Sequence, residues 1–239
     1  FIFWGFLILA IGTALVAFQD DIVRPFFKAN ILQGGFYLIF SAVLDAAGLV
    51  AIIGIVMAIW RRYVTKPSRL DNKTDDAITL VWILVVLITG FLVEGARIAS
   101  TRPDFEVWSF VGWITSYLFL GLSPDGIKIT HKFFWYLHML ISFGLIAYIA
   151  YSRLIHIVTS SLNMMFRGVE DTPRGAIAPI EDFENAEEFG INSIENFTWR
   201  QIFDLDACTR CGRCQDLCPA YATEKPLSPK QFIQDLKAE

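Results

Sequence analysis

Four long apolar runs, separated by polar and charged stretches, set the pattern of this chain. Phe1–Phe18 holds 18 uncharged residues, about enough to cross a bilayer as a helix. Gln19–Gln33 brings in Asp20, Asp21, Arg24 and Pro25 and reads as a loop. Gly34–Trp60 is a second run, interrupted by Asp45. Arg61–Asp76 carries Arg61, Arg62, Lys66, Arg69 and Lys73 around Pro67, and its closing Asp75 and Asp76 are placed to cap the next helix. Ala77–Ala99 is the third run, with Glu94 and Arg97 near its end. Ser100–Ile129 is a longer connection, and its aromatic stretch 108–123 predicts a short interfacial or re-entrant helix, not a full span. Thr130–Ser160 is the fourth long helix and holds all three histidines.

Past residue 160 the pattern changes. Phe166–Trp199 is rich in Pro, Gly and acid, and between Gly175 and Trp199 it has six acidic residues and no basic one. This predicts a solvated linker, with a docking surface for a basic partner as the alternative. Near the end, Ser228 and Pro229 read as the N-cap and first position of a short helix. The expected architecture is an all-α membrane protein. Residues 1–160 form a transmembrane helix bundle of about four spans, 161–199 an acidic cytoplasmic linker, and 200–239 a small α-helical ferredoxin-like iron–sulfur domain.

Composition agrees with membrane spans. The chain is 54% hydrophobic with a mean hydropathy of +0.48, too apolar for an ordinary soluble domain. From Arg167 onward there are 8 basic and 14 acidic residues, net −6, against 12 basic and 10 acidic before it, net +2. The basic loop Arg61–Lys73 belongs in the cytoplasm. Counting spans then places Gln19–Gln33 and Ser100–Ile129 outside and the chain after Ser160 inside. The chain opens at Phe1 within an apolar run and without a basic leader segment, so no secretory signal is read there and upstream residues are expected. No nucleic-acid partner and no nucleotide-binding glycine loop are expected.

The sharpest chemical signal is Cys208, Cys211, Cys214 and Cys218, spaced C-x2-C-x2-C-x3-C-P. Thiolates at i, i+3 and i+6 suit one Fe4S4 cube, and this is the spacing of a bacterial ferredoxin loop. Zinc sites come instead as two separated C-x2-C pairs, and a disulfide scaffold suits a small secreted domain. Gly212 leaves room for the backbone to fold over the sulfides, and Pro219 ends the local turn. In two-cluster ferredoxins the Cys before Pro serves the other cluster. A second motif is therefore expected beyond Glu239 or in a partner chain, or the four residues hold one cluster alone. Thiolate ligation points to a reducing compartment, in agreement with the charge argument.

His131 and His138 are seven residues apart, and His138 and His156 are 18 apart, so on one helix they share a face. Eighteen residues rise about 27 Å, nearly the hydrocarbon thickness. That predicts a histidine towards each membrane surface, fit for axial haem ligation, with a hydrogen-bonding or proton-path role as the alternative. Asp45, Glu94, His131 and Lys132 are candidates for proton exchange with a quinone, and Glu94 is also placed to pair with Arg97.

These residues carry a resemblance. His138 and His156, followed by a cytoplasmic exit, resemble the cytochrome b (gamma) subunit of respiratory nitrate reductase. Residues 197–220, with KPLSPK after them, look like the iron–sulfur subunit of the heterodisulfide reductase family. The fusion is similar to bacterial membrane proteins that link an electron-transfer flavoprotein to menaquinone. The resemblance implies that His156 binds a b-type haem with a histidine upstream of Phe1. It implies that His138 binds a second haem or lines a quinone pocket, and that the full protein carries two [4Fe–4S] clusters. It further implies a prokaryotic inner-membrane oxidoreductase of the respiratory chain, passing electrons between a soluble carrier, or further iron–sulfur subunits, and the quinone pool. The rivals are a thiol or disulfide reductase subunit and a non-enzymatic membrane anchor or redox sensor.

Overall fold

The computed structural model of the chain describes residues 1–168, 191 and 193–239. Most of the acidic linker read at 161–199 lies outside them. The chain divides into two compact units: Phe1–Thr65 with Asp76–Ala147, and Lys66–Asp75 with Tyr148–Glu239.

The first unit is built from long helices. α1 (Ile2–Phe18) continues through a wider π-helical stretch, Gln19–Phe27, where a loop is expected from sequence. Pro25 has no N–H to give to an α-helical ladder, and a π segment absorbs that loss. Arg24 pairs with Asp20 one turn back at 3.1 Å, and Lys28, at φ 51°, ends the helix. α2 (Gly34–Trp60) extends through Arg61–Thr65. α3 is Thr74–Thr101. A 3-10 turn, Asp104–Trp108, leads into the short α4 (Phe110–Ser116), the helix expected in the third connection. α5 runs Pro124–Ile149. The four helical stretches Ile2–Phe27, Gly34–Thr65, Thr74–Thr101 and Pro124–Ile149 are long and apolar enough to cross a membrane. Most of their large apolar side chains face outward, as lipid-facing helices require. Close backbone approach between α1 and α2 rests on small residues: a Cβ on Gly5 would lie 2.7 Å from Ala51 Cβ. Ala96, Ala99, Phe119 and Ile127 form a buried cluster where α3, the end of the third connection and α5 meet.

The fourth apolar run does not continue as one helix to Ser160. α5 stops at Ile149, a turn follows, and Ser152 adopts an extended backbone with its Oγ accepting the Leu154 N–H at 3.2 Å. After the 3-10 turn Arg153–Ile155, α6 (His156–Met165) begins anew. Asp75 belongs to the same unit and holds this corner: it accepts the Tyr148 hydroxyl and, at 3.4 Å, the Arg153 N–H. Asp76 pairs with Arg62. Both acids expected to cap α3 thus hold other partners.

The rest of the second unit is a set of short helices: α7 (Trp199–Asp206), α8 (Arg213–Asp216), α9 (Pro219–Ala222) and α10 (Pro229–Ala238). Thr198 and Gln201 cap α7 reciprocally, and Ser228 caps α10 with Pro229 at its first position. α6 holds α7 through Thr159, which donates to Asp206 O at 3.2 Å. Arg200, buried, reaches back to Phe166 O at 3.0 Å.

Candidate functional site

Three sets of chemistry-bearing residues stand out. The first lies among α2, α3 and the connection before α4. Asp45, midway along α2, is 2% exposed. Its Oδ2 accepts the Val111 and Gly112 N–H groups at 2.6 and 3.2 Å, so an intramembrane carboxyl satisfies the first amides of α4. The Glu94 carboxyl lies within hydrogen-bond reach of Asp45. It packs against Gly112, where a Cβ would come within 2.7 Å of Glu94 Cδ. Arg97 is 3.8 Å from Glu94, but its main partner is Glu106, gripped at 2.6 and 3.1 Å. Tyr37 donates its hydroxyl to Glu106 at 2.9 Å. Burial pushes the Glu106 carboxyl up, but the Arg97 guanidinium and the Tyr37 hydroxyl outweigh it and hold it below the usual carboxylate range. A cavity of about 550 Å³ opens beside this pair, lined by Tyr37, Glu106, Leu32, Gln33, Leu38 and Phe105.

Of the four proton candidates, the structure brings together Asp45 and Glu94. His131 is half-buried and Lys132 exposed on α5. Neither joins the hydrogen-bond set of Asp45, Arg97 and Glu106 among the described residues.

The histidines form the second set. His138, on α5, has Nδ1 2.9 Å from Thr89 Oγ1 on α3. The Thr89 hydroxyl is directed at the Val85 and Val86 carbonyls at 2.8 and 3.0 Å. Its oxygen is therefore left to accept the Nδ1–H, and Nε2 keeps its lone pair. Gly90 presents no side chain to the ring; a Cβ there would meet His138 Cε1 at 3.4 Å. His156 opens α6, and its Nδ1 donates to Arg153 O at 2.6 Å, which again leaves Nε2 as the basic nitrogen. The two are on separate helices, so the five-turn registry expected of them does not apply.

The third set is the loop between α7 and α9. Cys208, Cys211, Cys214 and Cys218 are all free thiols, with Cys211 and Cys214 exposed. Arg210 and Gly212 have positive φ, 53° and 73°, on either side of Cys211, which bends the backbone tightly there. Gly212 abuts a protein carbonyl: a Cβ on it would lie 2.8 Å from Arg69 O. Pro219 opens α9 behind the N-cap Cys218, starting a helix where the sequence suggests a stop. Burial pushes the Cys211 thiol up, but the Arg213 N–H, the Thr209 hydroxyl and the Arg213 charge outweigh it and hold it below the ordinary range. Gln234 Nε2 donates to Cys208 Sγ at 3.3 Å. Among the described residues no three His, Cys, Asp or Glu side chains are gathered closely enough to hold a metal ion. The fit to a cluster is one of donor type, spacing and backbone curvature: four free thiols in one short loop that turns twice through the left-handed region.

Comparison with known families matches residues 21–170 to the nitrate reductase gamma subunit model. The chain belongs to that family. Residues 199–220 of this gamma-family chain match a 4Fe–4S binding domain, and the match covers all four cysteines. The EtfAB:quinone oxidoreductase of Syntrophomonas wolfei is 39% identical over 100% of this chain and 34% of its own length. The probable iron–sulfur-binding oxidoreductase FadF of Bacillus subtilis is 25% identical over 98% of this chain and 33% of its own length. A dihydromethanophenazine:CoB–CoM heterodisulfide reductase component from Methanosarcina acetivorans is 29% identical over 49% of this chain and 38% of its own length. The gamma-family chain spans about a third of the length of the curated relatives it matches. No solved structure matches it. A 4Fe–4S domain joined to four apolar helices of this family is an electron-transfer architecture.

Sequence reasoning missed Tyr37, Thr89, Glu106 and Gln234. Tyr37 and Glu106 meet across 69 positions, a separation that leaves no local signal. Thr89 lay in a recognised span, as an unremarkable polar residue.

Proposed function

We propose that this chain is the membrane part of a quinone-linked respiratory oxidoreductase. In this reading Cys208, Cys211, Cys214 and Cys218 hold a [4Fe–4S] cluster, and His138 and His156 are axial ligands of b-type haem. The observation that carries the haem assignment is that both histidines commit Nδ1 to a protein acceptor, leaving Nε2 basic. When bound, the cluster and haem supply the one-electron chemistry; the chain's own residues orient ligands and move protons.

The cavity beside Tyr37 and Glu106 has the size of a small-ligand pocket, and it suits a quinone head group. Tyr37 is a hydrogen-bond donor there, oriented by Glu106. Asp45, buried, and Glu94, half-buried, are two carboxyls in reach of one another, suited to hold and pass a proton. Arg97 joins the two groups, facing Glu94 on one side and Glu106 on the other.

Span counting supports a cytoplasmic iron–sulfur domain. The basic loop follows two spans and the cysteines follow four, so by that count both fall on one side, and residues Lys66–Asp75 share a compact unit with the cysteines. A soluble electron carrier such as an electron-transfer flavoprotein is then the donor or acceptor, by likeness to the Syntrophomonas protein. The heterodisulfide reductase relative favours a second reading, a thiol or disulfide as the terminal substrate.

A reduced-minus-oxidised visible spectrum of the purified protein, with iron and haem quantified, tests the relay. A b-type band with iron in excess of haem is expected. Iron without haem makes the histidines structural and overturns the haem assignment in favour of an anchor or sensor. Quinol oxidation set against disulfide reduction separates the two substrates.

A further inference from the structure

We propose that Gln234 is a positioning residue for the cysteine loop, whose side-chain amide sets the reduction potential of the cluster held there. This rests on the iron–sulfur reading above. Gln234 Nε2 donates to Cys208 Sγ at 3.3 Å. An N–H dipole aimed at a cluster sulfur favours the more negative, reduced state, and hydrogen bonds to sulfur are one of the levers that tune such potentials.

α10 is anchored so that this amide faces the loop. Lys230, Gln234 and Lys237 stand at i, i+4 and i+7, on one face. Lys230 is 8% exposed. It donates to Arg69 O at 3.0 Å and pairs with Asp71 at 2.6 Å. Lys237 pairs with Asp206, at the end of α7, at 3.0 Å. At the start of α10 the Ser228 hydroxyl reaches Gln215 Oε1 at 2.5 Å, inside the cysteine loop. Arg69, whose carbonyl Lys230 holds, pairs with Asp216 of that loop at 2.8 Å. The helix therefore grips the cysteine loop and the 66–75 loop together, and Gln234 lies between two fixed points on its gripping face. Leu at this position keeps the bulk and loses the donor; Glu keeps the shape and replaces the donor with an anion.

The test is a redox titration of the cluster in the full chain, purified anaerobically in detergent and followed by EPR. The signal is assigned by its loss in Cys211→Ser. Gln234→Leu is expected to keep the iron content and to shift the reduced-to-oxidised ratio at fixed potential about threefold to tenfold towards oxidised. That is about 30–60 mV more negative for one electron. Gln234→Glu is expected to shift at least as far. An unchanged potential in both variants, with full iron, overturns the inference and leaves the cluster reading intact. Loss of iron from both also overturns it, because a tuning hydrogen bond does not retain the cluster. Wild-type protein without iron overturns both.

Discussion

Glu106 and Thr89 show how single side chains set the chemistry of the membrane half. Glu106 is 3% exposed, and its hydrogen bonds with Arg97 and Tyr37 favour its charged form. Glu106→Gln keeps the shape but removes the charge opposite Arg97. Because the Arg97 side chain is 43% exposed, the expected cost is about 1–3 kcal/mol, below that of a fully buried broken pair. A fall in thermal midpoint in detergent measures it, and an unchanged midpoint would show the pair to be idle. Thr89→Val is isosteric and removes the acceptor for His138 Nδ1. Loss of such an outer partner weakens metal-ligand sites by about 10–100-fold, so haem titration of the variant should show a correspondingly weaker affinity. Unaltered haem affinity would remove His138 from the ligand set. Neither role is legible from sequence, because an acceptor one helix away leaves no periodic trace. The intramembrane carboxyls Asp45 and Glu94 were legible, since charge in an apolar run is rare enough to mark itself.

Spans and loops differ in what their residues reveal. The four apolar runs predict the four long helices, because hydropathy is a property of each residue on its own. The break at 150–152 is missed, because the corner depends on Asp75, in the first turn of α3 and 73 positions before the Tyr148 whose hydroxyl it accepts. The loop just before α3 meets the cysteines at Gly212, through Arg69 O. Gly212→Ala forces a positive φ on a side chain and drives its Cβ to 2.8 Å from a backbone oxygen, at a cost of about 1 kcal/mol for the φ alone. Trypsin should then cut the 66–75 loop faster than in wild type. Gly121→Ala, with nothing within 4 Å, is the silent control. The loop should also loosen in acid. Lys230, by its hydrogen bond and then its charge, holds the Asp71 carboxyl below the usual carboxylate range. A depressed carboxylate contributes stability above its unfolded pKa of about 4, and that stability is lost as pH falls through the lower folded value. The Asp71 side chain is 48% exposed, so the pair is worth under about 1 kcal/mol. Hydrogen exchange in residues 66–75 should rise below about pH 4 in wild type and be raised already at pH 7 in Asp71→Asn. Equal exchange in the two at pH 7 would count against the contact.

At the scale of the whole molecule, the proposed membrane sidedness rests on two arguments that share no residue-level premise. The positive charge of Arg61, Arg62, Lys66, Arg69 and Lys73 favours the cytoplasm for the second connection. Thiolate ligation of an iron–sulfur cluster, as proposed for the cysteine loop, suits a reducing compartment. The even number of spans between the two makes the arguments agree, and the ion pairs Arg69–Asp216 and Lys230–Asp71 tie that connection to the iron–sulfur domain. Part of the basic charge is thereby neutralised by the chain itself, so the orientation signal carried by Arg69 is weaker than its count in the sequence suggests. Arg61 and Lys66 are then expected to carry most of the rest, since Arg62 is paired with Asp76. An epitope placed after Glu239 should be digested by protease in inside-out vesicles and protected in intact spheroplasts. Replacing Arg61 and Lys66 together by Gln should make part of the population accessible from the outer face, whereas Arg69→Gln alone should not. Full outer-face access of the unmodified chain would invert the topology and place the cysteines in an oxidising space, where the iron–sulfur reading fails with it.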